Sequence, residues 1–391
     1  MGGWPGVLGR LLDGSSLSAD EAECVLGQVL EGAASPAQTA GLVVALRAKG
    51  ESVEEMTGLV RAMLAHAEPL PIEGDLVDVV GTGGDRLRSI NVSTLAACMV
   101  AGAGVRVCKH GNRAQSSSVG TADVLEALGV VVDLGPVGVA RCVAEAGMGF
   151  CFAPRYHPAM RFAGPVRREL GVPTVFNFLG PLANPARARF QLVGVSDPSM
   201  AAPMAHVLGA NGSRRAMVVY ADDGLDELSV TSPATVLEVT AEGAEVTAEG
   251  AEVMPEDLAV LAGLEGADGY TVRTWRLDPR SLGLAPATMD ELRGGDAAFN
   301  AGAIRRVLEG ERGPRRDIGV LNAGAALVVA GRAADLEAAV AMAAEAVDSG
   351  RAGEVLESLA RVSAAAAEEA DLAAPATPTP TTTTRSGPQA G

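Results

Sequence analysis

Aromatic side chains make up only 3% of the 391 residues: two Trp, three Tyr and seven Phe. A chain so poor in large rings builds its core from Ala, Val and Leu, which favours closely packed helices and strands, and its 48 glycines are available for tight loops. Basic charge is also scarce, with 31 Lys and Arg against 48 Asp and Glu and a formal net charge of −17. Such a surface repels phosphate backbones at long range, which argues against general nucleic-acid binding and against adhesion to anionic membranes. It still permits one anion in a locally positive pocket. The five cysteines (Cys24, Cys98, Cys108, Cys142, Cys151) are odd in number and lack C-x-x-C spacing, which points to buried reduced thiols rather than a disulfide frame or zinc site. No apolar stretch reaches membrane-spanning length, since the candidate at 320–331 is short and contains Asn322. The opening MGGWPGVLGR has no basic segment leading into an apolar run. The expected setting is cytoplasmic, with no membrane and no nucleic-acid partner.

What is present falls into two textures. Residues 1–68 read as helices: Ser18-x-x-Glu21 and Ser52-x-x-Glu55 are capping boxes, and Ser35-Pro36 is an N-cap followed by Pro at the first helical position. After Pro69 and Pro71, short apolar strands alternate with helical stretches, the signature of an α/β sheet with mostly parallel strands. The expected strands are 76–80, 105–108, 130–132, 149–152, 191–195 and 217–220. A helix around 165–170, closed by Gly171, is expected to join the N-terminal helices with its surroundings (about 160–185). The remaining 75–158 and 186–372 form the α/β domain. A tandem seven-residue duplication lies in 238–253 and reads as a lengthened surface hairpin. The tail 374–391, with TPTPTTTT at its centre, cannot bury a core and is expected to be disordered.

Three motifs carry chemistry. Asp78-Val-Val-Gly81-Thr-Gly83-Gly84-Asp85 follows a strand, and its glycines let backbone amides approach an anion, although a tight strand-to-helix turn needs the same glycines. Asn91-Val92-Ser93-Thr94 then opens an apolar helix, where it serves either as an ordinary N-cap or as a helix start holding phosphate. Next comes Lys109-His110-Gly111-Asn112-Arg113-Ala114-Gln115-Ser116-Ser117-Ser118-Val119-Gly120-Thr121, a positive spot in an acidic chain followed by hydroxyls. A solvated basic turn is the plainer reading of that segment.

GTGGD, NVST and KHGNRA at these intervals resemble the anthranilate phosphoribosyltransferase family. FAPRYHP (152–158), PVRR (165–168), FNFLGPLANP (176–185) and DDGLDELS (222–229) agree with it. The resemblance spans about residues 7–365. It implies a small helical domain joined to a larger α/β domain with a mostly parallel sheet, the active site lying in the hinge cleft between them. It also implies a homodimer and transfer of phosphoribose from phosphoribosyl pyrophosphate to the amine of anthranilate, as in tryptophan biosynthesis.

By the same resemblance Gly81, Gly84, Asp85, Ser89, Asn91, Val92, Ser93 and Thr94 contact the donor, as do the loop Lys109–Ser117 and Thr121. Mg²⁺ is the implied cofactor, held by Ser93, Asp226 and Glu227. Anthranilate is implied to meet Gly81, Asn112, His157, Arg167 and Pro181, and catalytic roles fall to Lys109, His110 and Arg167. Hard oxygen ligands suit Mg²⁺, and a planar guanidinium suits the acceptor carboxylate. Arg86 stands where the family usually has Gly, and Ser89 where Thr is usual, which puts the acceptor more in question than the reaction. A substituted aminobenzoate as acceptor, a pyrimidine nucleoside phosphorylase and a non-catalytic nucleic-acid-binding relative are the alternatives. KHGN and the Asp226-Glu227 pair argue against the phosphorylase, and the acidic surface argues against the nucleic-acid binder.

Overall fold

The computed structural model describes residues 2–85, 87–114, 119–243 and 269–373. Four helices come first: α1 (Gly3–Leu12), α2 (Ala19–Leu30), α3 (Pro36–Lys49) and α4 (Val53–Ala65). Ser18, Ser35 and Ser52 each cap the next helix, and Glu21, Gln38 and Glu55 return the bond to the cap backbone. Glu55 is fully buried and does more than cap. Its Oε1 accepts from the Leu17 amide (3.0 Å) and its Oε2 from Lys49 Nζ (2.9 Å), tying three of the helices together.

The chain then alternates β1 (Val77–Gly81), α5 (Val92–Gly102), β2 (Val107–Gly111), α6 (Thr121–Ala127), α7 (Pro136–Ala146) and β3 (Met148–Phe152). It continues through α8 (Ala153–Tyr156), a 3₁₀ turn (Pro158–Arg161), α9 (Gly164–Leu170) and α10 (Phe176–Leu182). β4 (Phe190–Gly194), α11 (Ala201–Ala210), β5 (Arg215–Ala221), β6 (Ala234–Ala241) and β7 (Tyr270–Leu277) complete the sheet. Five helices close the described chain: α12 (Met289–Leu292), α13 (Ala297–Leu308), α14 (Pro314–Val329), α15 (Leu336–Asp348) and α16 (Arg351–Ala373).

The seven strands run in the order β3-β2-β1-β4-β5-β6-β7. The first five are parallel, and β6 and β7 are antiparallel additions. Successive strand residues feed opposite cores, as the period of two requires. Val79, Leu192 and Val219 face the layer of α5, α7, α14 and α16, whereas Val80, Val193 and Val218 face α10, α11 and, continuous with them, α1–α4. α9 packs on α3, α10 packs on α4, and the 3₁₀ turn packs on α2. The N-terminal helices thus form a domain set on one side of a larger α/β domain. The strand order reverses between β1 and β4, and such a reversal opens a crevice at the carboxyl ends of the strands.

Five of the six expected strands are present. Residues 130–132 are not a strand: Val130 and Val132 are buried in the core, but the Val131 amide donates to Ser363 Oγ of α16 (3.0 Å) instead of joining the sheet. β6 and β7 were not expected as sheet strands. The duplication begins inside β6, and its residues from 244 onward, like the tail 374–391, lie outside the described residues. Four cysteines are buried free thiols as expected, and Cys24 is exposed. No described helix is long and apolar enough to cross a membrane.

The antiparallel edge carries a buried ion pair in addition to apolar residues of both cores, Val236 and Trp275 on one face and Leu237 and Val239 on the other. Buried Arg215 of β5 donates from Nε and Nη2 to Glu238 Oε1 of β6 (2.9 and 2.6 Å) and from Nη1 to the Val328 carbonyl of α14 (2.8 Å). Removing one partner of a buried ion pair leaves an uncompensated charge, so Glu238→Ala is expected to cost about 3–5 kcal/mol. Urea unfolding measures this, and a loss below about 1 kcal/mol would remove the pair from the account of the edge.

Candidate active site

A cavity of about 1000 Å³ opens at the carboxyl ends of β1 and β2. Met63, Met160, Arg161, Gly164 and Phe176 line it from the helical side, so it lies between the two domains. Gly81, Gly84, Asp85, Ser89, Asn91, Val92 and Ser93 line it from the β1–α5 connection. Lys109, His110, Gly111, Asn112, Arg113, Ala114 and Thr121 line it from β2 and the turn beyond. His157, Arg167, Pro181, Asp226 and Glu227 complete the sequence-predicted set within the cavity. Thr94 is the exception among the described residues: it is fully buried inside α5 and does not line the cavity, and its Oγ1 has no hydrogen-bond partner among the described residues. Gln115, Ser116 and Ser117, like Arg86, lie outside the described residues.

The glycines at the start of the site do different jobs. Gly83 and Gly84 have φ of 68° and 85°, left-handed values that turn the loop and favour glycine. Gly81 is needed for a close approach instead, because a Cβ there would lie 2.3 Å from Asp226 Oδ2. Its register partner on β4, Gly194, would place a Cβ 1.7 Å from the Asp226 carbonyl oxygen. The Asp226–Glu227 segment therefore rests directly on the ends of β1 and β4. It is anchored from behind by Asn322 of α14, whose Oδ1 accepts from the Leu228 amide (3.0 Å) and whose Nδ2 donates to the Leu228 carbonyl (2.8 Å). That pairing explains the polar residue in an otherwise apolar stretch.

Asp226 in turn holds the glycine loop, its Oδ2 accepting from the Gly83 amide at 2.6 Å. Ser196, after β4, pins the same loop: its amide donates to Thr82 Oγ1 (3.1 Å) and its hydroxyl to the Gly83 carbonyl (2.8 Å). Asp85 and Asp226 face each other at hydrogen-bonding range, and burial raises the pKa of both. Glu227 is raised as well, first by burial and then by the Asp226 charge. Among the described residues no three His, Cys, Asp or Glu side chains form a self-sufficient metal cage. A cation here would take carboxylate oxygens from Asp226 and Glu227 and the Ser93 hydroxyl, and would complete its shell with water and substrate phosphate. That oxygen set is the one Mg²⁺ favours, and the excess buried acid favours a cation.

Lys109 is buried, and its Nζ donates to the Val79 carbonyl and to Ser93 Oγ (3.0 Å for the latter). Burial lowers its pKa, while Asp78 and Glu227 oppose the shift. Arg113 is already engaged, donating to both carboxylate oxygens of Glu126 (2.6 Å each) and to Asp123 (3.0 Å). Asn91 precedes α5 without capping it through its side chain; its Oδ1 instead accepts from Asn300 Nδ2 at 2.9 Å.

The two histidines lie with ring centroids 5.2 Å apart. His110 Nδ1 donates to the Gly180 carbonyl (3.1 Å), which leaves its buried Nε2 a bare acceptor with no partner among the described residues. His157 Nε2 donates to the Ala183 carbonyl (3.0 Å). Burial pushes His110 down to about 3, helped by His157, and pushes His157 down to about 4. Arg167, at the middle of α9, sits with its guanidinium 5.3 Å from the Phe176 ring.

Sequence reasoning missed several residues of the site. Asp78 is fully buried; its Oδ1 accepts from the His110 amide (3.1 Å) and its Oδ2 from Asn184 Nδ2 (2.8 Å), which also donates to the Cys108 carbonyl (2.8 Å). Thus Asn184, from the FNFLGPLANP motif, fastens the loop after α10 to β1 and β2. Arg88 and Asn300 also line the cavity. Arg88 lay in plain view between two motifs, whereas nothing local marked Asn300, 209 positions beyond its partner.

Comparison with known proteins identifies the family to which this fold belongs. Residues 5–67 match the helical bundle domain of a glycosyl transferase family, and residues 73–268 and 262–353 match the a/b domain of such a family. Anthranilate phosphoribosyltransferase of Thermomicrobium roseum is 50% identical over 364 residues, covering 93% of this chain and 97% of the relative. The crystal structure of the Thermus thermophilus enzyme superposes with a TM-score of 0.80 at 40% identity, covering 92% of this chain and 99% of that one. The fold is also that of the Saccharomyces cerevisiae enzyme in complex with phosphoribosyl pyrophosphate and Mg, at TM-score 0.77 and 24% identity, covering 93% and 98% of the two chains. With both domain models matched between residues 5 and 353 and 50% identity to a relative over 93% of this chain, the chain belongs to the anthranilate phosphoribosyltransferase family.

Proposed function

We propose that the cleft binds phosphoribosyl pyrophosphate across the glycine loop and the start of α5, and anthranilate against Asn112, His157, Arg167 and Pro181. Mg²⁺ would be held by Ser93, Asp226 and Glu227. The observation that carries this reading is the acid pair Asp226–Glu227 lying over Gly81 and Gly194, beside amides turned by Gly83 and Gly84. Bound Mg²⁺ supplies a Lewis acid that neutralises charge on the leaving pyrophosphate. In the transfer, the amine nitrogen bonds to C1 of the ribose as the C1–O bond breaks, its electron pair leaving with pyrophosphate, and the amine loses one proton.

The chain's own groups mainly orient the reactants. The Arg167 fork suits a planar carboxylate and is stiffened by its place over Phe176. The His110 Nε2 lone pair can accept an amine N–H, which aims the nitrogen lone pair elsewhere. Lys109 holds the Ser93 hydroxyl and adds positive charge behind it. The backbone amides of the glycine loop meet charge growing on the leaving group. The exposed Leu12 of α1 and Val44 of α3 support a homodimer through the helical domain, and four buried free thiols support a cytoplasmic setting. A monomeric sedimentation coefficient would refute the dimer.

Mixing the protein with Mg²⁺, phosphoribosyl pyrophosphate and anthranilate is expected to extinguish anthranilate fluorescence. The loss should stop on chelation and fall at least about 100-fold in Asp226→Asn or Glu227→Gln. Wild-type rates in both variants would sink the metal assignment. Pyrophosphate release with substituted aminobenzoates but not with anthranilate would move the acceptor.

Neutral histidines also carry a sign for stability. Their folded pKa values, about 3 and about 4, lie below the ordinary 6.5, so the unfolded chain binds the extra protons. Their stabilising contribution is complete above about pH 6.5 and is lost as pH falls toward 4, at about 1.4 kcal/mol per pH unit per group. Thermal melts of His110→Gln or His157→Gln should therefore lose less stability than wild type between pH 6.5 and 4.5. A wild-type-to-variant difference that does not change with pH would overturn the neutral assignment.

A further inference from the structure

We propose that Arg88 is a binding residue for a phosphate group of the donor, an inference that rests on the reading of the cleft as the phosphoribosyl pyrophosphate site. The donor is a polyanion, so the state of the cations lining the cavity matters. Lys109 is buried and donates to Val79 and Ser93. Arg113 is tied up by Glu126 and Asp123. Arg167 and Arg168 belong to α9 on the helical side, and Arg161 lies 4.5 Å over the Phe162 ring. Arg88 is different. It is exposed, it lines the cavity from the same connection as Gly83, Gly84 and Asp85, and its guanidinium makes no hydrogen bond or ion pair among the described residues.

The backbone under Arg88 adds a second, independent observation. Its φ is 56°, a left-handed value uncommon for a residue bearing a side chain, and the turn alone would be easier with Gly or Asn. The surroundings enforce that conformation. The Gly294 amide donates to the Arg88 carbonyl (2.8 Å), the Ile90 amide donates to the Leu292 carbonyl (3.0 Å), and Ser89 forms an antiparallel bridge with Arg293. Gly294 has no room for a side chain, since a Cβ would lie 2.6 Å from the Ser89 carbonyl oxygen. The 292–294 segment thus acts as a strap that keeps the β1–α5 connection in a strained turn, with a long cation on the cavity side. Strain held in place at a ligand cleft is a reason to look for a ligand contact. The planar fork of Arg pairs with phosphate oxygens through two parallel N–H bonds.

Calorimetric titration of wild type, Arg88→Gln and Arg88→Gly with phosphoribosyl pyrophosphate in Mg²⁺ tests this. Both variants are expected to bind the donor about 10- to 100-fold more weakly, the range for a lost charge-assisted hydrogen bond. The KM for anthranilate should be unchanged, and Arg88→Lys should recover part of the loss. Arg88→Gly relieves the positive φ, so its melting temperature should equal or exceed that of wild type, which separates lost binding from lost folding. Repeating the titration with inorganic pyrophosphate and with ribose 5-phosphate identifies the phosphate concerned, since only the probe that Arg88 touches should weaken. Donor affinity within twofold of wild type in both variants would overturn the proposal. A wild-type protein that binds none of the three would overturn the reading of the cleft itself.

Discussion

Two glycines on neighbouring parallel strands let another piece of backbone lie where side chains would normally stand. Gly81 and Gly194 are in register, and over them passes the Asp226–Glu227 segment, so close that any side chain on either would collide with Asp226. Everything else in the site is arranged around that contact. Asp226 reaches the glycine loop only because the strand ends are bare, and the loop keeps its shape because Asp226 accepts from the Gly83 amide. Behind the segment, Asn322 satisfies both the amide and the carbonyl of Leu228, so the approach is fixed from α14 as well as from the sheet.

This placement puts several acids in a water-poor crevice, where their ionised forms are disfavoured and their pKa values rise. A cleft dedicated to an anionic donor with no cation would be a contradiction. On the proposed reading the acids would hold a divalent ion and the ion would meet the phosphates, which resolves it. Lys109 serves the same balance from behind Ser93. A separate buried network, Asp78 with Asn184 and the His110 amide, joins β1 and β2 to the loop that follows α10. Gly180 near the end of α10 and Ala183 just beyond it present the carbonyls that orient His110 and His157. The proposed acceptor side of the cleft is therefore registered against the proposed donor side through buried hydrogen bonds, which are costly to leave half made.

Much of this was legible because local rules and tertiary need coincide. The capping boxes at Ser18 and Ser52 and the Ser35-Pro36 helix start answer to backbone donors that every helix end leaves orphaned, so they can be read without a fold. The parallel strands are short apolar runs because both faces are covered. β6 and β7 escaped because Glu238, Arg273 and Arg276 break the apolar pattern, and the partners of Glu238 on β5 and β7 and of Arg276 just after β5 lie where no local window reaches. Residues 130–132 misled for the opposite reason: they are apolar, but the Val131 amide answers to Ser363, 232 positions away. In the site, Gly81 was marked as an anion-contacting glycine, while its packing role depends on Asp226, 145 positions later. Arg113 was read as part of a positive spot, yet Glu126 of α6 already claims its guanidinium.

The net charge of −17 sharpens what a site for a polyanion must do. At long range the surface repels a polyanion, so on the proposed reading the recognition energy would be local: amides turned by positive-φ glycines, a helix start, an ion held by the acids, and cations with no acidic neighbour to discharge them. Most basic residues in the structure fail that last condition, because an acidic protein offers carboxylates everywhere and its arginines find them, as Arg113, Arg215 and Arg276 do. A backbone that holds a cation away from the surrounding acids keeps it available. Left-handed φ at Arg88, enforced by a strap from a distant part of the chain, is one way of meeting that condition. In a basic protein the same turn could be filled by glycine without loss, since free cations would be plentiful. Here the strained arginine and the acidic surface are two sides of one electrostatic problem.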